Sequence, residues 1–508
     1  MSGRDGTAQQ LSEYKAISKP TTFTTGWGAH VPSMTSSLTA GKRGPLCVQD
    51  TVFFDTFHHF NRERIPERVV HAKGAGAFGY FECTKDVTKY TKAVVFSQVG
   101  KKTDLAVRFS TTGGESGANE TSRESRGFSL KFYTEDGIWD LTALHLPVFF
   151  VRDAMIFPSL NHVVKRNPVT HVKDFDAFWD FISLRPELIH SFLHLFSPSG
   201  IPDGYRHMNG YAQNIFKLVN TEGEGVWCKF HIITNQGVKN IETAKAIEIA
   251  GTDPDYATRD LYNAIHAGKY PKWTLNIQVM TFEEAKSMKW NIFDPTQLWP
   301  EDQFPLIEAG NIVLNKNPTN YFSDVEQIAF NPGHLIPGIE PSPDKVLQAR
   351  LLTYSDAQRY RLGANHLQLP VNCPHHNNKT RVSNEQRDGF ATYYNQNGTP
   401  NYYPNSFNGP EIDPLAKIQP YEVSGFVDRY DTGDEDNYSG ATLFWQKLKL
   451  DEQTILVKNL ASTLTFAQDF IQERTIKVLS QVDETLAKLV QESINRQIET
   501  KNVTGTLW

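Results

Sequence analysis

The sequence predicts an α+β protein: a closed antiparallel β-barrel, broken by one helical excursion and followed by a terminal helical bundle. Three observations carry this. Between residues 66 and 150, runs rich in β-branched and aromatic residues recur, each bounded by Gly, Asp or Ser: HAKGAGAFGYFECT, TDLAVRFSTT, RGFSLKFYTED and GIWDLTALHLPVFFV. Further runs return at GVWCKFHIIT, KWTLNIQVMTF and, more loosely, GNIVLNKNPT, and many consecutive antiparallel strands lose their exposed edges by closing into a barrel. Over residues 449–500 the apolar residues fall instead at helical spacing, as in LVKNLASTLTFAQDFIQERTIKVL and ETLAKLVQESI.

In chain order, residues 1–65 are rich in Thr, Ser, Gly and Pro with little periodicity, and read as an extended arm that another surface must order. The barrel spans residues 66–310, with a helical insert at about 155–200 around DFDAFWDFISLRPELIHSFLHLF. Residues 311–430 are rich in Asn, Pro and Tyr (NKNPTNYF, NYYPNSFNGP) and have little core of their own. They read as a segment wrapping the barrel or a neighbouring subunit, interrupted by one clear helix, SPDKVLQARLLTYSDAQRYRLG. Residues 431–508 form the helical domain. No internal repeat is visible.

A formal charge of −6 over 508 residues lacks the dense basic surface that nucleic acid requires. The 32 Phe residues are enough to fill a large core or line a flat apolar cleft. Cys47, Cys83, Cys228 and Cys373 form no CxxC pair, which argues against a disulfide framework or a structural zinc site and for a reducing compartment. The start, MSGRDGTAQQ, has no apolar signal-peptide run, and no segment is apolar for long enough to span a bilayer. The end, TGTLW, differs from the SKL-type peroxisomal address. An intracellular, cytoplasmic protein without a membrane partner is expected.

The chemistry begins in QARLLTYSDAQRYRLG, where Arg350 and Tyr354 lie one helical turn apart on one face. An arginine beside a phenol favours its ionised form, and tyrosinate is an axial ligand of haem iron. On spacing alone, an ordinary exposed cation–phenol contact is the simpler reading. IPERVVHAKGAGAFGYF sets Arg68 and His71 before a glycine run that permits close backbone approach. His71 is an acid–base candidate there, or a satisfied core histidine. AVRFSTTGGESG adds Arg108 and Ser110 beside another flexible turn.

Together IPERVVHAKGAGAFGYFE, VRFST, RGFSLKFYTEDGIWDL, IPDGYRHMNGY, YFSDVEQIAFNP and RLLTY stand in the order and spacing of one family. Over nearly its whole length the chain resembles the haem catalases of the smaller-subunit type. The resemblance implies an eight-stranded barrel, haem b, hydrogen peroxide as substrate and a homotetramer with interwoven arms. It places His71 as the histidine that shuttles the peroxide proton and Ser110 as the hydroxyl orienting it. Tyr354 becomes the iron ligand and Arg350 its charge partner. Arg68, Arg108 and Arg361 become partners of the haem propionates. Phe149 matches the phenylalanine stacked on the haem, and Phe157 the one lining the cavity above it.

One departure bears on activity. Where the family carries Gly-Asn-Asn-Thr-Pro after Trp-Asp-Leu, this chain reads Ala143-Leu144-His145-Leu146-Pro147, so Leu144 replaces the expected asparagine. His145 cannot simply substitute, because adjacent strand residues face opposite ways unless a bulge or register slip intervenes. Losing one preorganised donor costs on the order of 10²–10³ in rate. Glu124, Ser125 and Thr112 depart from the aspartate, proline and valine of the family's peroxide channel.

His190, Ser197, Asn209, Tyr211 and Trp299 match the family's NADPH site. Ser199, Ile233 and Glu301 there replace an arginine, a lysine and a histidine that balance phosphate charge, so tight NADPH binding is doubtful. The expected function is impaired conversion of hydrogen peroxide to water and oxygen. The alternatives are a non-catalytic haem binder or redox sensor, and a haem enzyme acting on organic or fatty-acid hydroperoxides.

Overall fold

The computed structural model of the protein describes residues 5–377, 380–414 and 416–504. Residues 1–4 and 505–508, which bear on the targeting expectations, lie outside the described residues. Eight strands form the barrel: β1 (Gly74–Cys83), β2 (Lys102–Thr111), β3 (Arg126–Thr134), β4 (Gly137–Leu144), β5 (Gly210–Val219), β6 (Gly225–Thr234), β7 (Lys272–Thr281) and β8 (Ile307–Lys316). Each pairs antiparallel with the next, and β1 pairs with β8, so the sheet closes on itself. A short β9 (Ile339–Pro341) adds to β5. β8 crosses the barrel boundary expected at residue 310.

Alternation along β4 shows how the sequence divides inside from outside. Trp139, Leu141 and Ala143 join the barrel core with Phe109, Phe128, Phe132 and Trp273. Phe132 stacks on Trp139 with ring centroids 4.5 Å apart. Asp140, on the other face, is fully buried opposite Lys131, with Nζ to Oδ1 at 2.8 Å. Its Oδ2 also accepts from His334 Nδ1 at 2.8 Å and from the Asn331 N–H at 2.9 Å. A buried ion pair holds only with such additional partners, and these come from the segment after the barrel, which is thereby fixed to its outer face.

β5, GYAQNIFKLV, lacks the apolar runs that mark the other strands, because its middle is polar. Those side chains are buried with partners. Gln213 Nε2 donates to the Leu146 and Val148 carbonyls at 2.7 and 3.1 Å, and Lys217 pairs with Glu340 at 2.6 Å.

The chain divides into two units, residues 1–68 and 69–508. The first holds two helices where an extended arm was expected, α1 (Gly6–Ile17) and α2 (Thr51–Phe60). Their aspartate caps explain them: Asp5 accepts from the Ala8 N–H and Asp50 from the Phe53 N–H, both at 3.0 Å.

In the second unit, α3 (Phe157–Val164), α4 (Phe175–Leu184) and α5 (Ile189–Phe196) form the insert. α6 (Thr243–Thr252) and α7 (Tyr256–His266) precede β7, and α8 (Phe282–Ser287) follows it. After α9 (Lys345–Leu362) come α10 (Ser439–Lys447), α11 (Leu450–Leu464), α12 (Asp469–Val482) and α13 (Glu484–Thr504). The terminal helices are no separate bundle. Trp179, Ile189 and Phe192 of the insert share one core with Leu456, Leu460, Leu479 and Val490. Every residue of α5 is buried, so insert and terminus complete each other.

Candidate active site

His71 lies just ahead of β1 with φ +65°, a conformation that side chains other than glycine seldom take. Its N–H donates to the Thr112 carbonyl at 3.1 Å. Its Nδ1 lies 2.8 Å from Ser110 Oγ on β2. Ser110 pairs in register with Gly127 of β3, which pairs with Leu144 of β4, which pairs with Tyr211 of β5. Gly127 makes the histidine's placement possible: a Cβ there would strike Ser110 Oγ and come within 2.7 Å of His71 Nδ1. Leu144, half-buried, ends its strand beside this gap.

Tyr354 is held from α9. Asp344 caps that helix, its Oδ1 accepting from the Val346 and Leu347 N–H groups at 2.8 and 3.0 Å. Arg350 Nη2 donates to Tyr354 Oη at 3.0 Å and to Thr142 Oγ1 at 2.5 Å. Its Nη1 donates to Asn214 Oδ1, and Asn214 Nδ2 donates to Asp344 Oδ2 at 2.8 Å. Burial pushes the Asp344 carboxyl up, opposed by Asn214 and the backbone donors. Thr142, Asn214 and Asp344 were not singled out in the sequence. Serine–proline–aspartate ahead of α9 is a helix-start signal, and Thr142 shares a strand face with Leu144. Asn214 carries no local signal, because its role depends on barrel register.

Arg108, two residues before Ser110, is 4% exposed, and Arg361, two turns beyond Tyr354, is 5% exposed. Arg108 Nη2 donates to the Ala72 carbonyl at 3.0 Å, while its Nε has no hydrogen-bond partner. Arg361 Nη2 donates to the Ile328 carbonyl at 2.9 Å and to Gln358 Oε1 at 3.0 Å. Burial lowers the pKa of both, Arg361 to about 10; Tyr321 and then Glu326 oppose this at Arg108, while Glu326 opposes it at Arg361 and Arg108 depresses Arg361 further. The two cations are therefore within electrostatic reach of each other. Phe149 and Phe157 lie with ring centroids 6.0 Å apart and planes 17° apart. Arg68, half-buried, closes the first unit.

His145 belongs to a different environment. Its Nδ1 accepts from the Arg126 N–H at 2.8 Å and its Nε2 donates to the Ser199 carbonyl at 3.0 Å. Burial, then Arg126, pushes its pKa down to about 3, with the Ser199 hydrogen bond opposing. Both ring nitrogens are thus engaged away from the His71–Ser110 pair, as alternation beyond Leu144 requires.

β4 links the two groups of site residues, since Thr142 meets Arg350 and Leu144 pairs with the glycine that accommodates His71. Residues 24–409 match the family described as Catalase, and residues 431–494 match Catalase-related immune-responsive. The chain belongs to the catalase family.

It is 53% identical to Catalase of Drosophila melanogaster over 503 residues, covering 97% of this chain and 99% of that one. To Catalase of Danio rerio it is 54% identical over 486 residues, 95% and 92% of the two chains. Its fold superposes on a fungal catalase crystal structure with TM-score 0.90 and 42% identity, covering 93% of this chain and 96% of that one. Catalase A from Saccharomyces cerevisiae gives TM-score 0.90 and 40% identity, covering 93% and 99%.

The family uses haem, and the residues present fit it. A half-buried phenol under an arginine offers an oxygen ligand. Two buried arginines, one with an unpartnered Nε, suit anionic propionates, and paired phenylalanines suit a flat apolar ring.

Proposed function

We propose that the protein is a haem b catalase converting two hydrogen peroxide molecules to two water and one oxygen, slowed because Leu144 stands where the resemblance places an asparagine. The supporting observation is that β4 links the two pairs, Thr142 meeting Arg350 of the Arg350–Tyr354 pair and Leu144 pairing with the glycine beside His71–Ser110. Haem, when bound, would supply the two-electron redox chemistry by which one peroxide is oxidised to oxygen and the other reduced to water.

The chain's own residues handle the rest. His71 accepts a proton from one peroxide oxygen and returns it to the other. Ser110 fixes the ring through Nδ1 so that the opposite ring edge meets the substrate. Tyr354 holds iron, with its oxygen positioned by Arg350. Arg108 and Arg361 receive the propionates, and Phe149 and Phe157 line the ring and the cavity. Leu144 offers no hydrogen bond, so peroxide is placed without that donor.

Tight NADPH binding is doubtful. His190 donates its Nδ1–H to the Thr296 carbonyl at 3.0 Å, and α10 packs on its ring at Gly440, where a Cβ would lie 2.7 Å from Nδ1. Ser197 donates to the His194 carbonyl at 2.7 Å, and Asn209 donates to Tyr211 at 3.0 Å. These groups are engaged in part within the chain, His190 through Nδ1 while its buried Nε2 has no hydrogen-bond partner.

A homotetramer is part of the proposal. Phe390, Phe426 and Val427 are almost fully exposed in the wrapping segment and gain cover from another copy. Among the described residues no helix is long and apolar enough to cross a membrane.

The test is oxygen release per haem by the protein beside Leu144→Asn. The asparagine variant is expected to be faster by on the order of 10²–10³. A parent as fast as the variant would overturn the role given to Leu144. No oxygen from either, with an intact haem spectrum, would favour a haem binder or sensor. Turnover of fatty-acid hydroperoxides alone would favour an altered substrate suited to an apolar Leu144.

A further inference from the structure

We propose that Glu124 is a positioning residue for His71, anchoring the turn that holds the His71 backbone in its left-handed conformation. The proposal rests on the reading of His71 as the group that moves the peroxide proton. A single carboxylate oxygen, Glu124 Oε2, accepts from three successive N–H groups: Thr112 at 3.1 Å, Gly113, and Gly114 at 3.3 Å. Convergent backbone amides of this kind form an anion-binding concavity, and here a side chain of the protein fills it.

The turn so fixed holds the His71 segment at two points. The Thr112 carbonyl accepts from the His71 N–H, and the Thr111 N–H donates to the Lys73 carbonyl, both at 3.1 Å. Left-handed backbone is disfavoured for a residue with a β-carbon and persists only where the surroundings over-determine it. Glu124 is braced in turn. Arg126 Nη1 donates to its carbonyl at 2.5 Å, and the Arg126 N–H is held by His145. His145, removed from the reacting groups, thus supports them at a distance through Arg126 and Glu124.

A carboxylate near such a site could also act by charge alone, and two variants of the haem-loaded full-length protein separate these roles. Glu124→Gln keeps an acceptor oxygen in place without the charge and is expected to stay within about threefold of the parent rate. Glu124→Ala loses the acceptor and falls on the order of 10²-fold, as small misplacements of reacting groups do.

The second readout is backbone hydrogen exchange by mass spectrometry over residues 69–73 and 111–114. Exchange is expected to match the parent in Glu124→Gln and to be at least about tenfold faster in Glu124→Ala, the scale of about 1.4 kcal/mol of lost protection. Unchanged exchange in Glu124→Ala overturns the proposal. So does an equal fall in rate for both variants with exchange unchanged, which marks a charge effect. If Glu124→Ala does not fold, Glu124→Asp, one methylene too short for all three amides, is expected to exchange faster at 112–114; unchanged exchange there overturns the proposal equally. Exchange does not depend on peroxide turnover, so failure of the catalase reading is distinguishable from failure of this one.

Discussion

On the Tyr354 side of the site, Arg350 meets Thr142, Asn214 and Tyr354, drawn from two strands and its own helix, and Asn214 continues the chain to the helix cap Asp344. On the His71 side, the ring meets the Ser110 hydroxyl, sits on a left-handed backbone and occupies the space left by a glycine. The first arrangement is a closed network in which every polar group supports another. The second is assembled from steric allowance and local turns. Damage to the network therefore falls on stability as much as on chemistry, whereas damage on the His71 side falls on rate.

The largest effect is expected for His71→Ala. Removing a positioned acid–base group costs roughly 10²–10⁴ in rate, while haem should still load because Tyr354 and the arginines are untouched. Oxygen release per haem together with the haem absorption spectrum checks this. Retention of more than a tenth of the parent rate would break the assignment of proton handling to His71.

Next comes Gly127→Ala. The new methyl meets Ser110 and the His71 ring, so the ring must move, with an expected loss on the order of 10²-fold. The unfolding midpoint should change far less than the rate. A variant as active as the parent would show that the gap does not set the ring position.

Asn214→Ala tests the other side. It leaves Arg350 Nη1 and one bond of Asp344 Oδ2 unmet, and unsatisfied groups of this kind cost about 1–3 kcal/mol. Denaturant unfolding of the haem-loaded protein should register the loss. A large fall in rate at unchanged stability would contradict the contrast between the two sides.

Legibility in the sequence follows the same division. The Arg350–Tyr354 pair was readable because helical spacing is local, and seven barrel strands were readable from their own apolar runs. β5 and Asn214 were not: a polar strand is stabilised by partners such as Leu146 and Asp344 that only barrel closure brings near. The two helices of the N-terminal unit were hidden by weak periodicity, although Asp5 and Asp50 supplied caps. Local pattern left His71 and Ser110 as open candidates, and only resemblance joined them, since no local pattern announces a left-handed histidine or the glycine on a third strand that accommodates it. Alternation placed His145 away from Leu144's face, but its partner Ser199 lies 54 residues along the chain, beyond any periodicity.

His145 supplies the smallest expected effect, one of pH rather than rate. Its folded pKa is near 3 because burial, then Arg126, disfavours the charged ring, while an unfolded histidine titrates near 6.5. The folded form is depressed, so the unfolded chain binds the extra proton first as pH falls. Stability from this group is complete above about pH 6.5 and is lost progressively down to about pH 3. Below that the folded ring also protonates and the slope vanishes. Over that window, replacing His145 with Gln should reduce the slope of unfolding free energy against pH by close to one proton. Gln can still offer an acceptor to the Arg126 N–H, so His71 should remain in place and the rate at neutral pH nearly unchanged. Denaturant titrations from pH 7 to 4 check the slope. An unaltered slope would mean that the buried ring titrates alike in both states, and a large loss of rate would mean that its link through Arg126 is tighter than one hydrogen bond provides.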